Sequence, residues 1–173
     1  MKKVAVFGKP GGGKSTFSKA LSKATGIELY PLDLIEYHKN GEKVDTEEFL
    51  ASYYEILAKD NWIIDGFVSL QLLEQQLEAA DTIIYIDLPY YRHYWWVTKR
   101  FLKSPFVKPE GWPDGSSALK GTIVGYKVLK LSPKFWNNEL LAKLRKQNSH
   151  KNFFHLTSVA ELNGFMETNN SAR

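Results

Sequence analysis

The sequence predicts an α/β fold, a five-stranded parallel sheet flanked by helices, on three observations. Short apolar runs alternate with helical patterns along the chain, which is how successive strand–helix–strand units read in sequence. A glycine-rich stretch, Gly8-Lys9-Pro10-Gly11-Gly12-Gly13-Lys14-Ser15, separates the first such run from the first helical pattern. With 173 residues the chain has the size of one domain. A chain of this size buries roughly 70% of its unfolded surface without a disulfide or structural metal, and it has no cysteine to supply either.

The strands are expected at 3–7, 27–31, 61–65, 82–87 and 152–156. A helix over 15–24 places Phe17, Ala20, Leu21 and Ala24 on one apolar face, and Gly26 stops it. Asp45 with Glu48 three residues on resembles a capping box, opening a helix that carries Phe49, Leu50, Tyr53 and Leu57. Ser69 caps a third, with Leu70, Leu73 and Leu77 inward. A helix from about Pro89 puts Tyr91, Trp95, Thr98 and Leu102 on a packed side, and Arg92, Trp96, Lys99, Arg100 and Lys103 on a cationic one. Residues 104–118, with three prolines and two glycines, read as a functional loop. Residues 139–147 form a helix with Leu140, Leu141 and Leu144 together, a short helix follows the last strand through Phe165, and the tail from Thr168 is polar and frayed.

The glycine stretch matches the phosphate-binding pattern G-x-x-x-x-G-K-[ST] at every position. Glycines let successive backbone N–H groups turn inward, and the helix that follows aims its positive end at the same point. A nucleoside triphosphate is therefore the expected ligand, with Gly8, Lys9, Pro10, Gly11, Gly12, Gly13, Lys14, Ser15 and Thr16 as its binding residues. Lys14 belongs on the β/γ-phosphates and Ser15 on a Mg²⁺ ion. Three carboxylates stand where strands end, the place where open α/β sheets bind ligands. Asp33 can orient an acceptor hydroxyl or take its proton, or be a turn residue; Asp65, closing Trp62-Ile63-Ile64-Asp65, suits Mg²⁺. Asp87, two residues before Pro89, reads as the cap of the next helix. Arg92 and Arg100 are candidate catalytic arginines, since guanidinium forks match phosphate oxygens.

Charge is uneven: residues 1–88 carry nine Lys/Arg against fourteen Asp/Glu, residues 89–173 fourteen against five. A cationic half fits either a cover over a polyphosphate or a nucleic-acid footprint, and 120–151, with Glu139 as its only acid, is where the second would lie. No recognition-helix or RNA-binding signature accompanies it, so nucleic acid is not favoured. The N-terminal run of four apolar residues is too short for a signal peptide, and no segment has the length of a membrane span, so a cytoplasmic protein without membrane association is expected.

The glycine loop, Trp62-Ile63-Ile64-Asp65-Gly66, the Ile86-Asp87-Leu88-Pro89 turn and the basic helix after it together resemble the bacterial topology modulation protein family, a branch of the adenylate-kinase-like phosphate-loop (P-loop) NTPases. The similarity runs through about residues 3–166. It implies a nucleotide-kinase-like fold with a mobile lid at about 101–120, ATP as donor, adenine near 157–159 and, by its name, a DNA-related role. Asp65-Gly66-Phe67 resembles the Asp-Gly-Phe of adenylate kinases, but Val68-Ser69 stands where those enzymes have Pro-Arg, which argues against a nucleoside monophosphate acceptor. The lid region has lysines and no arginine. The reading from sequence is an ATP- and Mg²⁺-dependent phosphotransferase of one domain, 1–173, with an unidentified small-molecule acceptor. A nucleotide-gated DNA-binding protein and a plain ATPase are the alternatives.

Overall fold

The computed structural model describes residues 1–38, 42–106 and 117–170. Along the chain it forms β1 (Lys3–Gly8), α1 (Lys14–Thr25), β2 (Leu29–Pro31), α2 (Leu32–Glu36), α3 (Thr46–Ala58), β3 (Trp62–Asp65), α4 (Leu70–Ala79), β4 (Thr82–Ile86), α5 (Tyr90–Lys103), α6 (Ala118–Phe135), α7 (Asn138–Gln147), β5 (Asn152–Leu156) and α8 (Val159–Asn170). The five strands make one parallel sheet in the order β2-β3-β1-β4-β5. The chain thus passes to one side of β1 for β2 and β3 and to the other for β4 and β5. That reversal opens a crevice at the carboxyl end of β1, directly above the phosphate loop.

Because a central parallel strand is covered on both faces, β1 is apolar from Val4 to Phe7 and divides its side chains by the period of two. Ala5 and Phe7 join Trp62, Ile64, Tyr53 and Leu73 under α3 and α4, whereas Val4 and Val6 join Ile63, Ile84, Phe17 and Leu21 under α1 and α8. Register then fixes the rim: Asp65 pairs with Val6 on one side and Pro31 on the other, and Gly8 pairs with Ile86. No helix among the described residues is long and apolar enough to cross a membrane.

Several helix faces differ from the expectation. On α1 the buried residues are Phe17, Ser18 and Leu21, and Ala20 is exposed; Gly26 does end the helix in a left-handed conformation. Asp45 is the N-cap of α3 but makes no side-chain capping bond. Ser69 caps α4 through Leu72 N, yet Leu70 is exposed, and Leu72, Leu73, Gln76 and Leu77 are buried. Helix α8 runs to Asn170, so the tail expected to fray from Thr168 is helical over its first residues. The short α2 and the long α6 were not anticipated. Of the expected loop at 104–118, residues 107–116 lie outside the described residues.

The largest correction concerns α5. Its expected packed side is exposed, with Tyr91 at 66%, Trp95 at 59% and Leu102 at 62%, while His93 and Val97 are fully buried. On α6, Thr122, Gly125, Leu129 and Ser132 face inward, Leu119, Ile123 and Leu131 are exposed, and Val124 and Val128 line the cavity. The inner face of α6 combines Leu129 with small residues, and a Cβ on Gly125 would meet Val97 Cγ1 at an ordinary contact distance of 3.6 Å. Val97→Ala is expected to cost about 1–3 kcal/mol and Leu102→Ala to stay within about 0.5 kcal/mol. Urea unfolding of both variants checks the assignment, and the reverse order would restore the expected face.

Candidate functional site

The crevice is a cavity of about 850 Å³ over the carboxyl ends of β1, β2 and β3, with α5 and α6 as its opposite wall. Its floor is the phosphate loop. Gly13, left-handed with φ 76°, is the N-cap of α1, and neither a capping side chain nor an acid in the first turn occupies that helix end. The N–H groups of the first turn therefore open toward the cavity, where an anion completes them. Helix α5 presses on the loop from the other side. A Cβ on Gly11 would come within 2.6 Å of Val97 Cγ2, and one on Gly13 within 2.9 Å of Trp96 Cζ3. The glycines thus serve both the curl of the loop and the approach of the helix.

Lys14, Ser15, Asp33, Asp65 and Arg100 converge on this cavity. Lys14 Nζ donates to Lys9 O at 3.0 Å, and burial holds its pKa below the usual lysine value against the charges of Asp65 and Asp33. Asp65 is buried, and that burial raises its carboxyl to about 6 despite Lys14 and a hydrogen bond from Ser15. Asp33 opens to the cavity's water but is crowded by protein on its other sides. Burial pushes its pKa up, Lys14 and Arg100 oppose, and Glu36 adds to the rise. Burial lowers the Arg100 pKa, with Asp33 acting against it.

The geometry fits a magnesium ion. Asp65 Oδ1 is buried with no hydrogen-bond partner, beside the Ser15 hydroxyl that bonds the same carboxylate. No group of three or more His, Asp or Glu among the described residues could hold a metal by itself. A single carboxylate with a hydroxyl suits Mg²⁺, which keeps most of its shell as water and phosphate oxygen.

Three expected residues stand elsewhere. The Arg92 guanidinium lies against the Tyr91 ring, 5.6 Å from its centroid, and does not line the cavity. The Lys9 side chain is buried, pairs with Asp87 and sits 4.3 Å from the Tyr90 centroid, so only its backbone belongs to the loop. Asp87 is accordingly no helix cap; Pro89 holds that position in α5. Its other oxygen receives His155 Nε2 at 3.0 Å. Burial opposes its ionisation, but the bonds from His155 and Lys9 prevail and take the pKa down to about 2. Arg145 Nη2 donates to His155 Nδ1 at 3.1 Å, which fixes the neutral tautomer with hydrogen on Nε2. The loop at 157–159 carries its own capping pair: Glu161 accepts from Thr157 N, and its N–H donates to Ser158 Oγ at 3.2 Å.

Sequence reasoning missed Tyr37, Phe67 and Trp136 as rings lining the cavity; the fourth, Trp96, stands on the cationic side of α5 where it was expected. It also missed His93, which is buried with Nδ1 2.8 Å from Pro10 O and Nε2 3.0 Å from Leu88 O. Phe67 alone carried a signal, as the residue after Asp65-Gly66.

Because Asp65 is more basic in the folded state than in the unfolded chain, folding takes up a proton between about pH 4 and pH 6. The resulting stabilisation is full below that window and is lost as the pH rises through it. Asp65→Asn is expected to reduce this slope and leave the ligand-free protein about 2 kcal/mol more stable than the parent near neutral pH. Urea unfolding across the window reads it, and an unchanged slope would assign the proton to another group.

No protein-family model and no curated protein matches the chain. Among solved structures, shikimate kinase from Acinetobacter baumannii, in complex with shikimate, superposes with a TM-score of 0.57 at 14% identity, covering 97% of this chain and 90% of that one. A sugar kinase from Janibacter, unliganded, matches with a TM-score of 0.47 at 13% identity over 99% and 91% of the two chains, too distantly to carry an argument. At such identities the likeness is one of fold: this chain has the α/β architecture of the P-loop kinases.

Proposed function

We propose that the protein is an ATP-dependent phosphotransferase that uses Mg²⁺ and a small-molecule acceptor. The observation that carries this reading is the meeting, in one cavity, of Lys14 and an uncapped helix end with Asp33 and Arg100. The first pair suits a polyphosphate, the second a hydroxyl and the phosphoryl group moving toward it. Loop N–H groups and Lys14 hold the β- and γ-phosphates; Ser15 and Asp65 would hold the magnesium ion, which neutralises phosphate charge when bound. Asp33 orients the acceptor hydroxyl and takes its proton as the new P–O bond forms, and ADP leaves with the electrons of the broken one. Arg100 faces the charge spread over the transferring group. Lys99 and Lys103 on α5 and Lys120 on α6 complete the cationic cover. The resemblance to the topology modulation family supports the same nucleotide chemistry.

The DNA-binding alternative draws less support. Within 120–151, Lys120 lines the cavity, Lys143 pairs with Glu74 at 3.1 Å, Arg145 holds His155, and Lys151 Nζ donates to the carbonyls of Leu77 and Glu78 at 2.6 Å. Of the stretch's eight cations, four thus line the cavity or bond to other parts of the chain.

Lys14→Ala and Arg100→Ala are each expected to lower ATP-dependent turnover by roughly 10²-fold or more, whereas Arg92→Ala leaves it unchanged. ADP release under saturating nucleotide reads all three. Full activity in Lys14→Ala would refute the phosphotransferase reading, and a loss in Arg92→Ala would refute this assignment of the arginines.

A further inference from the structure

The cavity is chemically polarised, and the polarity bears on the acceptor. Its cations, Lys14, Lys99, Arg100, Lys103 and Lys120, come from the loop, α5 and α6. The wall built by β2, α2, the end of β3 and the turn after α6 offers instead Asp33, Tyr37, Asp65, Phe67 and Trp136: two carboxylates, three aromatic rings and, among the described residues, no cation. Lys43 approaches through its bridge to Tyr37, but its ammonium is taken by Glu36 at 2.7 Å. After Phe67, Val68 packs into the core and Ser69 caps α4, so neither position presents a charge.

The rings form a fixed surface. Trp136 stacks on Tyr85 at 5.2 Å and 23° and on Phe7 at 5.8 Å and 26°, which anchors it to the sheet. Phe67 meets Trp136 edge-on at 5.5 Å and 83°, and lies parallel to Phe135 at 6.5 Å. A surface locked in this way accepts a flat or apolar ring face without losing side-chain freedom. An anion seated on this wall would lie against Asp33 and, among the described residues, find no cation on the wall itself.

Resting on the phosphotransferase reading, we propose that the acceptor is an uncharged alcohol bearing a ring, its flat face against Phe67 and Trp136 and its hydroxyl directed to Asp33. Nucleosides and cyclic sugars share this chemistry. A phosphorylated acceptor or a hydroxy acid does not, and in this the site parts from a kinase whose structure holds shikimate.

The test uses the full chain with Mg-ATP and matched acceptors: adenosine and thymidine against their 5′-monophosphates, glucose against glucose 6-phosphate and glucosamine, and shikimate. ADP release and phosphorylated product are both measured. The expected result is turnover of an uncharged member with kcat/KM at least tenfold above its charged counterparts, the nucleoside and sugar arms telling which ring the wall receives. Phe67→Ala should then raise KM for that acceptor at least tenfold while the Kd for Mg-ATP without acceptor stays the same. Preference for an anionic or cationic alcohol would overturn the proposal, as would ATP binding and hydrolysis with no uncharged ring alcohol phosphorylated. Failure to bind Mg-ATP at all would instead refute the phosphotransferase reading beneath it.

Discussion

The arrangement depends on the pressure of α5 against the phosphate loop. His93 is the contact that sets it: the ring is fully buried between Pro10 O and Leu88 O, at 2.8 and 3.0 Å from its two nitrogens. Burial lowers its pKa, so the ring is held neutral and donates to one carbonyl at a time. With the loop pinned there, Val97 and Trp96 close on Gly11 and Gly13. Arg100, one turn further along α5, is then carried into the cavity opposite Asp33. A bulkier residue at Gly11, Gly12 or Gly13 would press on α5 and move the arginine with it. Lys9 fastens the loop a second time, through Asp87, His155 and Arg145, so that the end of β1 is tied to β4, β5 and α7 by charge as well as by the sheet.

The sheet and the loop were legible in the sequence because their signals are local. Each strand is a short run rich in apolar residues, and β1, β3 and β4 are buried on both faces; the five expected strands lie within two residues of those observed. The phosphate pattern is a contiguous string whose glycines and lysine mean the same thing in any context. Asp33 and Asp65 were found from the strand-end rule, which needs only the strand boundaries. The faces of α5 and α6 were not legible, for a physical reason. Helical periodicity assigns the apolar stripe to the core, but here close packing of two helices and a polar cavity takes the inner positions. Thr122, Gly125 and Ser132 share the inner face of α6 with Leu129, and Arg100 and Lys99 line the cavity. Arg92 and Arg100 are eight residues apart and share a stripe by count, yet only the second lies far enough along α5 to reach the loop's mouth. Asp87 was misread for a similar reason: a carboxylate before Pro89 fits a cap, and the sequence carries no sign of a buried lysine 78 positions earlier.

Charge separation within the cavity follows from the topology. Strands β2 and β3 lie on one side of β1 and come from the acidic half of the chain; α5 and α6 arch over from the cationic half. The crevice at the reversal of strand order is therefore lined by residues from opposite ends of the charge distribution. That is the arrangement phosphoryl transfer needs, since the polyphosphate calls for cations and the acceptor hydroxyl for a base. The net charge of +4 conceals it.

The ligand-free site is costly to the fold. Lys14, Asp33, Asp65 and Arg100 are each shifted by burial toward their uncharged forms, and Asp65 Oδ1 finds no donor at all. A structure optimised for stability alone would replace such a cluster with apolar residues, because partly satisfied buried charge is worse than none. The strain is tolerable because the surrounding sheet is dry, apolar and rigid, with Val4, Ala5, Val6 and Phe7 all fully buried beneath the loop. Part of that cost is offset within the cluster, where Lys14 lies beside Asp33 and Asp65, and Arg100 beside Asp33. Under the proposed function, a magnesium-bound polyphosphate would bring an anion to Lys14 and Arg100 and a cation to Asp65 together, offsetting more of it. The groups that burial penalises, Lys14, Asp33, Asp65 and Arg100, are thus the ones on which the proposed phosphotransferase chemistry rests.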